Sequence, residues 1–357
     1  MTGTTLSNDI VRQAIADICA HLGERAQVLS DKTIVITGGA GFICSYFLDV
    51  LCCLNDCGLS PPCHVASVDN YSTGAAWRLA HLRERGDVSL IEADISKDVP
   101  LPQTIHYIIH GASIASPVVY RRYPIETIKV NVLSTWHLLK RALKGDVKSL
   151  LYLSSSEIYG DPTEGNVPTP ESYHGNVSST GPRACYDESK RLAETLCMTY
   201  YRHNRVPVKI VRPFNVYGPR LSLDDGRIIP DLLNNALNGQ PLTLYSDGRS
   251  TRSFCYISDA ICAMLDILLS GHNGEVFNVG NDEEVSIRQV AEEIDHQSGH
   301  RLGIEYRAHE DTDYLKDNPQ RRCPDLSKAK RLIDYQPQVN LASGLARTLK
   351  WHQENRQ

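Results

Sequence analysis

The chain has 357 residues, with 42 Asp and Glu against 37 Lys and Arg, a formal net charge of −5. Hydrophobic residues make up 41% and charged residues 22%, with 24 Gly and 18 Pro, which excludes disorder, collagen and a long coiled coil as the main architecture. Basic residues are scattered, so a duplex nucleic-acid binder with a phosphate-neutralising stripe is excluded, while a small anionic ligand held by a few placed arginines is not. At about 150 residues per domain, the length fits one large or two modest domains.

No run reaches the roughly 18 to 20 apolar residues of a bilayer span. The best, 260–269, is short and contains Asp266. Residues 1–9 are polar, with no basic region ahead of an apolar core, so no signal peptide and a cytoplasmic setting are expected. The 11 Cys read in that setting as free thiols rather than a disulfide framework. Cys52, Cys53, Cys57, Cys63 and His64 cluster without paired C-x2-C spacing, and the first two fall on an apolar helix, so no metal is assigned to them or to the scattered histidines.

In chain order, Ser7, Asn8 and Asp9 can cap a helix whose apolar positions Ile10, Val11, Ile15, Ile18 and Leu22 share a face, which makes 1–30 an appended helical segment. The period then changes. Residues 33–37, 64–68, 88–91, 107–109, 150–153 and 208–211 are short apolar runs, as expected of parallel strands buried on both faces. Helical stretches alternate with them, clearest at 123–143 and 184–203. That order predicts an α/β fold with a doubly wound parallel sheet over 31–211. Beyond it, 212–357 carries short helices near 229–238, 258–269 and 286–298 and reads mainly as a smaller substrate lobe, with strand-like 276–279 returning to the main sheet.

The first run leads directly into Thr37-Gly38-Gly39-Ala40-Gly41-Phe42-Ile43-Cys44 and a helix to about residue 54. Gly38 permits the tight turn and Gly41 lets the backbone approach a pyrophosphate, whose charge the amides at the helix start, Phe42 and Ile43, can meet. Cys44 stands where the pattern expects a third glycine for close packing, so a slightly displaced helix is expected. The second strand ends at Asp69-Asn70, where a carboxylate can accept hydrogen bonds from ribose hydroxyls and repel a 2′-phosphate, which favours NAD over NADP. Asp94-Ile95, after the third strand, is placed beside adenine by the same logic.

Tyr186 and Lys190 are four residues apart on one helix face. An ammonium there favours the phenolate of Tyr186, giving a base for a sugar hydroxyl. Leu153-Ser154-Ser155-Ser156-Glu157 follows the fifth strand, where a parallel sheet delivers its functional loops.

Together with Arg212-Pro213-Phe214-Asn215-Val216-Tyr217-Gly218-Pro219-Arg220, these residues resemble the extended short-chain dehydrogenase/reductase family acting on nucleotide sugars, over roughly 32–350. Gly181-Pro182-Arg183-Ala184-Cys185-Tyr186-Asp187-Glu188-Ser189-Lys190-Arg191, Asp225-Gly226-Arg227 and Pro319-Gln320-Arg321-Arg322-Cys323-Pro324-Asp325 are most similar to UDP-glucuronate decarboxylases. The resemblance implies a Rossmann fold, bound NAD, a UDP-sugar substrate, and a homodimer built on a four-helix bundle of the 123–143 and 184–203 helices. It implies that Ser155 and Tyr186 hold the sugar 4-hydroxyl, with Lys190 beside Tyr186, and that Ser156 and Glu157 lie at the C5 and C6 end. Arg322 is implied near the 6-carboxylate, and Asn215, Arg227 and Arg252 at the nucleotide diphosphate. Ser156-Glu157 differs from the Asp-Glu of 4,6-dehydratases, which need an acid to expel the 6-hydroxyl. The expected activity is therefore decarboxylation of UDP-glucuronate through a 4-keto sugar to a UDP-pentose, UDP-xylose. An epimerase, an oxidative decarboxylase releasing the keto sugar, and a silent dinucleotide-binding regulator are the alternatives; intact Tyr186, Lys190 and Glu157 argue against the last.

Overall fold

The computed structural model describes residues 9–299, 302–308 and 318–355. Helix α1 (Asp9–Leu22) leads through a short 3-10 turn to β1 (Thr33–Thr37) and α2 (Phe42–Asp56). Strands β2 (His64–Asp69), β3 (Val88–Glu92) and β4 (Tyr107–His110) follow, then α3 (Pro117–Arg122), α4 (Pro124–Lys144), β5 (Ser149–Leu153), α5 (Ala184–Asn204) and β6 (Val208–Pro213). The chain continues through α6 (Ile228–Leu237) and α7 (Ile257–Leu269). The capping residues Ser7 and Asn8 lie outside the described residues.

Seven strands form one parallel sheet in the order Val276–Val279, β6, β5, β4, β1, β2, β3. The strand period explains why the runs are apolar throughout. Ile34 and Ile36 enter one core with α2 and α7, whereas Val35 enters the other with α4 and α5, so neither face can be polar. Val276–Val279 pairs along β6, with Val276 opposite Ile210.

Helix α1 packs on α2 and α7 as an outer layer. Asp266, the charge that interrupts the apolar run of α7, has its side chain only 5% exposed and accepts from His21 Nε2 and Arg25 Nη1, both at 2.7 Å. The appended helix thus supplies the partners of a carboxylate that burial would otherwise penalise. All 11 cysteines are free thiols, and no group of three or more Cys, His, Asp or Glu among the described residues is arranged to hold a metal ion.

The helix expected over 123–143 is α4, and the short α3 precedes it. Tyr123 lies between α3 and α4 at φ −126°, ψ 60°, because the following Pro124 disfavours helical geometry in the residue before it. This break turns α3 across the carboxyl end of the sheet. A small sheet in the C-terminal part brings distant residues together: Thr251–Ser253 runs antiparallel to Glu284–Ser286 and parallel to Arg321–Arg322, with Arg252 opposite Arg322.

Candidate active site

A cleft of about 640 Å³ opens at the carboxyl ends of the strands, where a doubly wound sheet places its ligands. The glycine turn forms one wall. Gly38 has φ +76°, and a Cβ there would sit 2.8 Å from Ala112 Cα; a Cβ on Gly41 would sit 2.9 Å from Gly38 O. The turn is therefore a bare backbone cradle, and the first-turn amides of α2 have no helical carbonyl behind them. These features fit a dinucleotide pyrophosphate. Cys44 also lines the cleft, its sulfur 3.6 Å from Thr37 O, and the room for it comes from Gly111, where a Cβ would land 2.3 Å from Cys44 Sγ.

Asp69 Oδ2 accepts from Ala40 N at 2.9 Å and Oδ1 from Tyr71 N at 2.7 Å, so the carboxylate ties the end of β2 to the glycine turn. Burial pushes its pKa up, against those two amides. The lining of the cleft does not include Asp69, Asn70, Asp94 or Ile95. Asn70 accepts from Ser72 N at 3.0 Å, Asp94 caps its own turn through Ser96 N at 3.0 Å, and Ile95 is a core residue. On that side Ser72 and Thr73 face the cleft instead.

Opposite the glycine turn stand Tyr186 and Lys190, both buried on α5. Lys190 Nζ donates to Leu153 O at 2.7 Å and lies 5.8 Å from the centre of the Tyr186 ring. Burial lowers the Lys190 pKa to about 7. Burial also pushes the Tyr186 phenol up to about 12, against a hydrogen bond with Ser155 and the positive charge of Arg227. The spacing argument expected Lys190 to favour the phenolate; in the folded protein burial is the largest influence on both groups and favours the neutral phenol. Tyr120 of α3 stacks on the Tyr186 ring at 5.0 Å with planes 12° apart, a contact that no sequence motif indicated.

The short 3-10 turn Ser156–Tyr159 follows Ser155, whose Oγ accepts from Glu157 N at 3.1 Å. It directs Glu157 between two guanidiniums. Arg322 binds it through both Nη atoms, with Nη2 to Oε2 at 2.7 Å, and Arg183 Nη2 donates to the same Oε2. Burial pushes the Glu157 carboxyl up, but Arg183 and Arg322 together hold it well below the usual range, so it stays ionised. Arg183 went unassigned in the sequence, although it precedes Tyr186 by three residues, about one helical turn. Arg322, which the resemblance implies near the 6-carboxylate of a ligand, is bound to Glu157.

Arg227 donates to Asp225, with Nη2 to Oδ2 at 3.0 Å. Arg252 donates to neutral acceptors: Thr251 O at 2.7 Å, Pro319 O at 2.7 Å, Asn318 Oδ1 at 3.1 Å and Gln320 O at 3.3 Å. Burial, with Arg322 and Arg183 nearby, lowers the Arg252 pKa to about 9. Asn215 donates to Ser253 O at 2.8 Å. Seven basic and three acidic side chains line the cleft, which therefore suits a polyanion.

A parallel sheet with a glycine cradle at its first strand and a Tyr-Lys pair facing it defines a dinucleotide-dependent enzyme class. A family model described as the NAD dependent epimerase/dehydratase family matches residues 34–280, and the chain belongs to that family. It is similar to UDP-glucuronic acid decarboxylase 1 of Arabidopsis thaliana, 40% identical over 88% of this chain and 68% of that protein. UDP-glucuronic acid decarboxylase 1 of Xenopus tropicalis is 38% identical over 91% of this chain and 75% of its own length. Among solved structures, a dTDP-glucose 4,6-dehydratase from Streptomyces venezuelae with NAD bound has a TM-score of 0.79 at 27% identity, covering 91% of this chain and 98% of that one. UDP-glucuronic acid 4-epimerase from Bacillus cereus, in complex with UDP-glucuronic acid and NAD, has a TM-score of 0.74 at 26% identity, covering 89% and 98%.

Proposed function

We propose that this protein converts UDP-glucuronate to UDP-xylose and CO₂ through a 4-keto sugar, with NAD regenerated in each cycle. The observation that carries the reading is Glu157 held between Arg183 and Arg322, beside Tyr186 and Lys190, in a cleft with excess positive charge. In this reading residues 31–211 hold the cofactor and 212–357 mainly the nucleotide sugar, whose diphosphate meets Asn215, Arg227 and Arg252. Gly38, Gly41, Phe42 and Ile43 take the pyrophosphate of NAD. Asp69 and Asn70 take the adenosine ribose, and Asp94 and Ile95 border adenine.

NAD bound there supplies a reversible acceptor for the hydrogen at sugar C4. The protein's own residues do the rest. Ser155 and Tyr186 hydrogen-bond the 4-oxygen, and Tyr186, whose phenolate the positive nicotinamide of bound NAD would favour, takes its proton. Once C4 is a ketone, the C5–C6 bonding electrons can delocalise onto the 4-oxygen, which those hydroxyls stabilise as CO₂ leaves; a proton gained at C5, then return of the hydrogen to C4 with a proton from Tyr186 to the 4-oxygen, would complete UDP-xylose. Ser156 and Glu157 flank C5 and C6. Because Glu157 already neutralises part of the charge of Arg183 and Arg322, the 6-carboxylate is oriented without being clamped, which suits a group that must depart as neutral CO₂. Ser156 is no acid, which disfavours expulsion of a 6-hydroxyl.

The test is incubation with UDP-glucuronate. One CO₂ per UDP-xylose, with no net NADH, is expected; a C4 epimer without CO₂, or a released keto sugar with stoichiometric NADH, would overturn the reading.

The same reading makes the protein a cytoplasmic homodimer joined through α4 and α5. Ile125 is 61% exposed, Ile128 45%, Trp136 43% and Leu192 48%, which leaves an apolar stripe suited to a four-helix bundle. Among the described residues no helix is long and apolar enough to cross a membrane. Light scattering at micromolar concentration should give the mass of two chains, and Ile128→Asp should give one; a wild-type monomer contradicts the dimer.

A further inference from the structure

Glu194 belongs to no motif read from the sequence, yet it stands at the centre of a buried polar network. It lies on α5 four residues beyond Lys190 and is buried. Arg212 of β6 donates to both of its oxygens, Nε to Oε1 at 2.9 Å and Nη2 to Oε2 at 2.6 Å, and Ser154 Oγ donates to Oε1 at 2.6 Å. Arg212 Nη1 continues to Tyr159 Oη at 2.7 Å, and Tyr159 donates to Asn278 Oδ1 at 2.7 Å. Asn278 Nδ2 in turn donates to Thr169 O at 2.8 Å and Asp325 O at 3.1 Å. Thr169 N donates to Cys323 O at 2.8 Å, adjacent to Arg322. One network therefore reaches the loop of Ser155 and Glu157, the helix of Tyr186 and Lys190, and the segment of Arg322.

Its electrostatic setting is equally specific. Lys190 is faced by Cys44 from α2, His110 from β4, Leu153 O and the Tyr152 ring from β5, and Tyr186, Glu194 and Cys197 from α5. Burial keeps His110 neutral, at about 3, and pushes Cys44 up to about 12 and Cys197 further, so neither thiol is charged at neutral pH. Glu194 is thus the one carboxylate in that set among the described residues. It opposes the burial that brings Lys190 to about 7.

We propose that Glu194 is a positioning residue for this reaction: it fixes the spacing of Ser155, Tyr186 and Arg322 through Ser154 and Arg212, and it keeps Lys190 charged beside Tyr186. The proposal rests on the Tyr186-Lys190 reading of the active site. Glu194→Gln keeps the size and removes the charge. Lys190 then loses its proton at lower pH, so the alkaline fall in the rate of sugar oxidation should move down by about one pH unit. The maximal rate should fall roughly tenfold to a hundredfold. Glu194→Asp should restore the alkaline limb even if its rate stays low. Acetylation of Lys190 by acetic anhydride, followed by mass spectrometry across pH, needs no turnover, and its onset should shift in the same direction. A Glu194→Gln protein with unmoved limb and unmoved acetylation, whether slow or wild-type in rate, overturns the proposal. A wild-type protein that oxidises no nucleotide sugar but shows the acetylation shift would instead sink the functional reading and leave the role of Glu194 toward Lys190 standing.

Discussion

Tyr186→Phe is expected to lower the rate of sugar oxidation by roughly 10²- to 10⁴-fold while changing UDP-sugar affinity by less than about tenfold. The ring is fixed by stacking on Tyr120, and its removal from water is complete enough to lift the phenol to about 12, so phenylalanine fits the site without loss of packing. What disappears is the proton acceptor. Substrate binding survives because the diphosphate contacts, which the proposed function gives to Asn215, Arg227 and Arg252, are untouched. Single-turnover NADH formation and equilibrium binding of UDP-glucuronate measure the two quantities separately. Parallel loss of both would mean that Tyr186 is structural.

Arg322→Ala should reduce CO₂ release far more than NADH formation, by roughly 10²-fold or more, the effect of losing a charge-assisted contact in a closed site. The geometry adds a second expectation. Arg322 binds Glu157 through both Nη atoms and Arg183 binds it as well, so Arg322→Ala leaves Glu157 with Arg183 alone, Glu157→Gln takes the carboxylate from both arginines, and the double variant takes it from Arg183 only. The double variant should therefore lose less than the two single variants' losses combined, a non-additivity that a double-mutant cycle reads directly. Affinities for UDP-glucose and UDP-glucuronate check the role of Arg322 itself. Equal weakening for both sugars, with an unchanged ratio of CO₂ to NADH, would assign Arg322 to the diphosphate.

The sheet was legible because burial on both faces forces each strand to be apolar along its whole length, and the glycine cradle was legible because a backbone approach leaves glycines behind in the sequence. Tyr186 and Lys190 could be read from a local spacing, and Glu157 from its place after the fifth strand and from the family resemblance. The charge pattern around Glu157 could not. Arg252 and Arg322 become neighbours only through parallel pairing of two short strands some 70 residues apart, an arrangement with no local periodicity. Arg183 carried one usable signal, its one-turn separation from Tyr186, but an isolated arginine is more often a surface residue. The start of α4 was readable to within a residue, since Pro124 restrains the residue before it, whereas the six-residue α3 ahead of it was not read from the sequence.

The relation between Cys44 and Gly111 couples what the two positions can hold. With a side chain at 111, the sulfur of Cys44 would overlap its Cβ at 2.3 Å, while Leu153 Cδ2 at 3.3 Å and Thr37 O at 3.4 Å confine that Cβ on its other sides. With glycine at both positions there is only a small void, which a fold tolerates far better than an overlap. Tolerance at the two positions is therefore one-directional: Cys44→Gly leaves a void, whereas a side chain at 111 is accommodated only if the sulfur of Cys44 moves or is removed.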